Sequence, residues 1–225
     1  MLFLDQLLHN CQTLGHKTAV SFIQPNRTDT ISYEQLHQIV GQTMGYLQSL
    51  GVRPGDRVAL QLPKCLPFLY LHLATIRLGG ITLPLNPAYP EHELTYFLEN
   101  SGAKLFFADA AKQAELSSIV EKLATLETVV YLKPNHATHF LEQSAPHATA
   151  NDAQIGPDTV ALMVYTSGTT GRPKGALTTH ANLTTNIFGL HEAWGWQQND
   201  VLLHVLPIFH VHGLSVALHG ALTAG

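Results

Sequence analysis

Charge is scarce in this sequence. Asp, Glu, Lys and Arg make up 12% of the 225 residues, about half the ~25% usual in globular domains. Neither sign dominates: 12 Lys+Arg against 16 Asp+Glu leave a formal net charge of −4. No basic excess is present to hold nucleic acid or an anionic membrane surface, so neither is expected as a partner. Cysteine is limited to Cys11 and Cys65, with no CxxC spacing. Free thiols of this kind fit a reducing compartment, and the expected location is cytoplasmic. The opening MLFLDQLLHN lacks a basic segment and meets Asp5 before an apolar run can form, so it does not read as a signal peptide. The long stretch without Asp, Glu, Lys or Arg, residues 201–225, holds Pro207, His204, His210, His212 and His219. Polar groups of this kind are costly in lipid, and no membrane span is expected.

What is present is apolar. Hydrophobic residues reach 45%, enough for a sizeable core and too many for a disordered chain. Fourteen histidines partly fill the polar gap. Leu4, Leu7, Leu8 and Cys11 have helical spacing, and Ser32 can cap a helix running to Gly51. Val58, Leu60 and Leu62 alternate with other residues and predict a half-buried strand. Residues 67–78 predict a buried helix stopped by Gly79 and Gly80, and residues 81–85 a strand. A helix over 91–100 follows, with Pro90 suited to its first turn. Then come a strand at 105–108, a helix over 111–123 and a strand at 128–132. Strand and helix alternate, which predicts an α/β fold with a largely parallel sheet flanked by helices. Residues 143–157, aperiodic and holding Pro146, Gly156 and Pro157, read as a linker. Beyond it the sequence predicts a strand at 160–165, a glycine-rich loop, a helix over 182–194, a strand at 201–205 and an apolar helix from Leu214. The sequence ends at HGALTAG beside its most apolar segment. Termini of whole domains usually lie at the surface, so the chain is expected to be part of a larger domain.

The glycine-rich loop, YTSGTTGRPKG at 165–175, carries the chemistry. Gly168, Gly171 and Gly175 let the backbone approach a ligand closely. Thr166, Ser167, Thr169 and Thr170 supply four hydroxyls, and Lys174 supplies one charge. Curved backbone N–H groups with hydroxyls and a lysine suit a polyphosphate. The spacing is not that of a Walker A loop, because Lys174 is followed by Gly175 rather than Ser or Thr. Ser167 lacks the G-x-S-x-G elbow of a hydrolase.

YTSGTTGRPKG resembles the phosphate-loop signature of the adenylate-forming superfamily, which includes the AMP-forming acyl-CoA synthetases. Three further segments resemble motifs of that family in the same order: ISYEQL at 31–36, RLGGITLPLNPAYP at 77–90 and LPIFHVHG at 206–213. FHVHG is most similar to malonyl-CoA synthetases and related enzymes for short or dicarboxylic acids. The resemblance covers nearly the whole chain. It implies that residues 1–225 are the N-terminal portion of an AMP-binding domain, truncated and without the C-terminal domain. It also implies a two-step ligase reaction. A carboxylic acid attacks the α-phosphate of ATP, pyrophosphate leaves with Mg²⁺ beside it, and coenzyme A displaces AMP.

By the resemblance, Thr166, Ser167, Gly168, Thr169, Thr170, Gly171 and Lys174 would hold the β- and γ-phosphates, with Lys174 catalytic. His210 would sit beside the substrate carboxylate with Phe209 behind it. The family's Y-G-x-T-E and T-G-D segments are absent. The missing machinery would come in cis or from a partner chain; otherwise the chain is a non-catalytic phosphate-binding module. His210 and His212 are two apart, but no carboxylate or cysteine lies in 201–225 to complete a metal site, and none is expected. His212 and His72 read as core histidines, Trp194 and Trp196 as helix-end packing, and the other histidines as surface groups.

Overall fold

The structure, a computed structural model, describes residues 1–134, 137–166 and 171–225. Helix α1 (Phe3–Thr13) leads into a hairpin of β1 (Thr18–Gln24) and β2 (Arg27–Ser32). The hairpin turns on Pro25 and Asn26, residues suited to a tight turn. Ser32 then caps α2 (Tyr33–Ser49): its hydroxyl accepts from Gln35 N–H, and the Gln35 side chain accepts from Ser32 N–H. Such reciprocal caps contribute about 1 kcal/mol. Gly51, at φ +88°, ends this helix in a conformation other residues resist.

The central unit alternates as the sequence predicts. Strand β3 (Arg57–Gln61) is followed by α3 (Leu66–Arg77), β4 (Ile81–Pro84), α4 (Glu91–Ser101) and β5 (Leu105–Asp109). One 3₁₀ turn then enters α5 (Gln113–Val120), and β6 (Thr128–Leu132) and α6 (Ala137–Ser144) follow. Strand β7 (Val160–Thr166) returns to the sheet and β8 (Lys174–Thr179) folds back on it. Helix α7 (His180–Trp194), a π-helix (His212–His219) and the short α8 (Gly220–Ala224) complete the chain. Thr179 and Asn182 repeat the reciprocal cap at the start of α7.

The six-stranded sheet has the order β6-β5-β3-β4-β7-β8. Every neighbouring pair is parallel except β7 and β8. Side chains alternate between two cores, as the strand period requires. Val58, Leu60, Leu105 and Phe107 enter the larger core with α1, α2 and α3. Ala59, Leu83, Phe106 and Ala108 enter the smaller core with α4 and α5. This explains one difference from the sequence reading. Strand β3 is buried on both faces from Val58 to Gln61, not half-buried, because helices cover both sides of a parallel sheet.

Three other differences have clear causes. Residues 143–157 are no linker: 143–144 end α6, and 147–150 run as a strap over α2. Thr149 lies against Gly41, where a Cβ would meet its methyl at 2.6 Å, and a Cβ on Gly45 would drive into the Ala148 carbonyl. Asp152 then pairs with Arg77 through two bonds of 2.6 and 3.0 Å, and Arg77 is only 4% exposed. Residues 201–205 form no ladder, and Val201, Leu203 and Val205 are 94, 76 and 75% exposed. Their strand-like pattern has no sheet edge beside it among the described residues. Pro90 caps α4 from outside and does not occupy its first turn.

Candidate functional site

Ligands of open parallel sheets bind beyond the carboxyl ends of the strands. Strand β7 ends at Thr166, and antiparallel β8 begins at Lys174. Thr166 pairs with Lys174 in the ladder, so the stem of the loop stands at that carboxyl edge. Both residues are exposed. Gly171 has φ +129°, and nothing lies within 4 Å of where a Cβ would be. Ser167, Gly168, Thr169 and Thr170 lie outside the described residues.

The stem is fastened to α4 on both sides. Tyr165, the residue before Thr166, donates its hydroxyl to Asn100 Oδ1 at 2.7 Å. Burial, and next the neighbouring Tyr96, push the Tyr165 phenol up to about 12, so it stays a donor at neutral pH. On the outgoing side, Tyr96 donates its hydroxyl to the Pro173 carbonyl at 2.8 Å, and the Arg172 guanidinium lies 5.5 Å from the Tyr96 ring centroid. Tyr165 also packs on Phe97, with ring centroids 4.4 Å apart. A Cβ on Gly175 would meet the Met163 methyl and lie at ordinary contact distance from the Tyr165 ring. None of these α4 side chains stands out in the sequence, because an aromatic at helical spacing reads as core.

The segment with His210 reaches the same edge. Lys64, just beyond β3, donates to the His204 carbonyl at 2.8 Å. Burial lowers its ammonium pKa from the ordinary value. His204 Nε2 lies 2.8 Å from the Gly213 carbonyl. Burial holds His204 below the usual imidazole range, which favours a neutral ring donating this bond. The turn between is tight: His210 N–H donates to the Pro207 carbonyl at 3.3 Å, and a Cβ on Gly213 would collide with that carbonyl. This accounts for the last Gly of LPIFHVHG. His210 is exposed, with its ring 4.9 Å from that of Phe209. Strands β3 and β7 both flank β4, a separation of about 10 Å at the usual strand spacing. The two halves of the site are therefore anchored two strands apart along one edge.

Histidines are where the sequence reading errs most. His212 is exposed, because the π-helix beginning there turns Leu214 and Ser215 inward instead. His180 and His219, expected at the surface, are 0 and 1% exposed. With His72, also 0% exposed, they form a buried group. His72 Nε2 meets His219 Nε2 at 2.7 Å, His72 Nδ1 lies 3.0 Å from Thr82 Oγ1, and the Phe3 ring stacks on both His180 and His219. Burial drives all three below the usual imidazole range, His180 to about 4 and His219 to about 3. They are neutral at pH 7. Trp196 packs at the helix end against His191, as expected, while Trp194 is 56% exposed.

The chain belongs to the AMP-binding enzyme family, whose profile matches residues 7–225. It is 32% identical over 199 residues to an oxalate–CoA ligase of Arabidopsis thaliana, a match covering 87% of this chain and 39% of that protein. It is 33% identical over 181 residues to a mitochondrial malonate–CoA ligase of Mus musculus, covering 80% of this chain and 29% of that protein. Among solved structures, ATP-bound MatB from Rhodopseudomonas palustris superimposes with a TM-score of 0.89 at 37% identity, covering 100% of this chain and 44% of MatB. The chain thus spans well under half the length of these relatives. Among the described residues, no helix is long and apolar enough to cross a membrane.

Proposed function

We propose that these 225 residues supply the phosphate grip and part of the acyl wall of an AMP-forming acid–CoA ligase. The observation that carries the reading is the β7–β8 stem. It sets Thr166 and Lys174 side by side at the carboxyl edge of a parallel sheet, with Gly171 at positive φ in open space. In that reading, Thr166 through Gly171 and Lys174 bind the β- and γ-phosphates of ATP. A carboxylate oxygen attacks the α-phosphorus, and the bond to the β-phosphate oxygen breaks. Donors fixed beforehand stabilise the charge gathering on pyrophosphate. His210 lies next to the acid, where its imidazole can donate a hydrogen bond to the carboxylate. Coenzyme A then displaces AMP through its thiol. A cytoplasmic setting suits these soluble cosubstrates.

No group of three or more His, Cys, Asp or Glu among the described residues is arranged to hold a metal. Mg²⁺ would arrive with the phosphates of ATP. The acid proposed is malonate or another short dicarboxylate, on the likeness to malonate– and oxalate–CoA ligases. A second reading, a module that grips phosphate without catalysis, draws on the lack of Y-G-x-T-E and T-G-D segments within these residues.

Carboxylate-dependent ATP–pyrophosphate exchange separates the two. It is assayed on this chain and on the product of the longest open reading frame containing it. Exchange by the longer product, strongest with malonate, is expected. Failure of the longer product to exchange with any acid tried, alongside pyrophosphate binding, would favour the module.

A further inference from the structure

Tyr96 belongs to none of the motifs that mark the loop. It sits half-buried on α4, far from the loop in sequence. Its hydroxyl donates to the Pro173 carbonyl at 2.8 Å. That bond has an unusual lever. The Pro173 carbonyl and the Lys174 nitrogen belong to one planar peptide unit. Pro173 has a fixed φ and no N–H of its own. Holding its carbonyl therefore sets the plane from which the Lys174 side chain departs. The Tyr96 ring does two further things. It lies beneath the Arg172 guanidinium at 5.5 Å, and it meets Tyr165 edge-on with centroids 6.1 Å apart. Tyr165 in turn is bonded to Asn100 of the same helix. One helix thus grips the residue before Thr166 and the residue before Lys174.

We infer that Tyr96 is a positioning residue for Lys174, fixing the Pro173–Lys174 peptide by a hydrogen bond to its carbonyl so that the ammonium is presented to a polyphosphate. Tyr96 itself touches no phosphate. Its ring also keeps Arg172 over α4 rather than free to compete for the same anion. The inference rests on the phosphate reading proposed above, and the test separates the two.

The experiment titrates inorganic pyrophosphate by calorimetry into the product of the longest reading frame that contains these residues. Wild type is compared with Y96F, K174A and the double variant. Y96F removes only the hydroxyl and keeps the ring against Tyr165 and Arg172, and circular dichroism verifies its fold. One lost hydrogen bond predicts binding weaker by about threefold to tenfold in Y96F. The decisive readout is the double variant. If Tyr96 acts through Lys174, Y96F adds almost nothing once Lys174 is gone. If Y96F weakens binding equally in both backgrounds, Tyr96 merely stiffens the hairpin and the inference is overturned. It is also overturned if Y96F binds as wild type does while K174A is weakened. If wild type binds no pyrophosphate, the phosphate reading itself falls, and the inference with it.

Discussion

Lowering the pH from 8 to 5.5 should cost this protein a large part of its stability through three histidines. His72, His180 and His219 are at most 1% exposed, and burial lowers the pKa of each from 6.5. The direction of the effect follows from linkage. A group whose pKa is depressed by folding contributes fully above its unfolded pKa and loses that contribution as pH falls toward its folded pKa. Here the window opens at about 6.5 and runs down to about 4 for His180 and about 3 for His219. At pH 5.5 the unfolded imidazole is mostly protonated and the folded one is not. The loss per group is about 1.4 kcal/mol, set by the unfolded pKa alone. Three groups give about 4 kcal/mol, against a typical total of about 5–15 kcal/mol. His37 and His204, also lowered by burial, act with the same sign, while Asp5 opposes the shift at His180. The assay is urea unfolding followed by circular dichroism at pH 8, 6.5 and 5.5. Substituting His180→Phe should reduce the pH slope by about a third of the three-group share. Among the described residues the His180 ring nitrogens have no hydrogen-bond partner, and the ring already stacks on Phe3. An unfolding midpoint that does not move with pH, or a slope that His180→Phe leaves intact, would refute the reasoning.

Three further outcomes are expected. Asp152→Ala should lower stability by about 2 kcal/mol, since it strips both charged hydrogen bonds from the buried Arg77 guanidinium, and urea unfolding at pH 7.5 checks it. Gly213→Ala should displace the 207–213 turn, because its Cβ would meet the Pro207 carbonyl; a crystal structure or the loss of the His204–Gly213 contact by NMR reads this out. The 225-residue chain alone should self-associate in light scattering and release no pyrophosphate from ATP when a carboxylate is added. Val201, Leu203 and Val205 lie bare on it, and β8 is an open sheet edge. A monodisperse chain with carboxylate-dependent turnover would contradict this.

The strand–helix alternation was readable because apolar period and stop signals agree there. Ser32, Gly51 and Gly79 sit where the helices they bound begin or end. The β1–β2 hairpin is hard to see in the sequence, because Thr, Ser and Asp dilute its alternation; the Pro25–Asn26 turn is the available signal. Strand β8 was hidden inside the tail of the glycine-rich motif, and its ladder partners become evident only in three dimensions. Residues 201–205 show the converse: a strand-like pattern earns no ladder without a neighbour. The loop stands out in the sequence by its glycines and hydroxyls, but the side chains that hold its stem do not. Tyr96, Asn100 and Lys64 act through contacts 77, 65 and 140 positions away in sequence. The burial of His180 and His219 beside the core residue His72 is not legible for the same reason: only the packing of α1, α3, α7 and the π-helix brings the three together.

The central claim, that Lys174 grips the leaving pyrophosphate of an acyl-adenylating enzyme, is tested most directly by ATP–pyrophosphate exchange. The assay compares wild type with Lys174→Ala in the longest reading frame that contains these residues, with malonate as the acid. Loss of one charged contact in the transition state predicts exchange slower by about a hundredfold, with the urea midpoint unchanged. An exchange rate unaffected by Lys174→Ala would contradict the account.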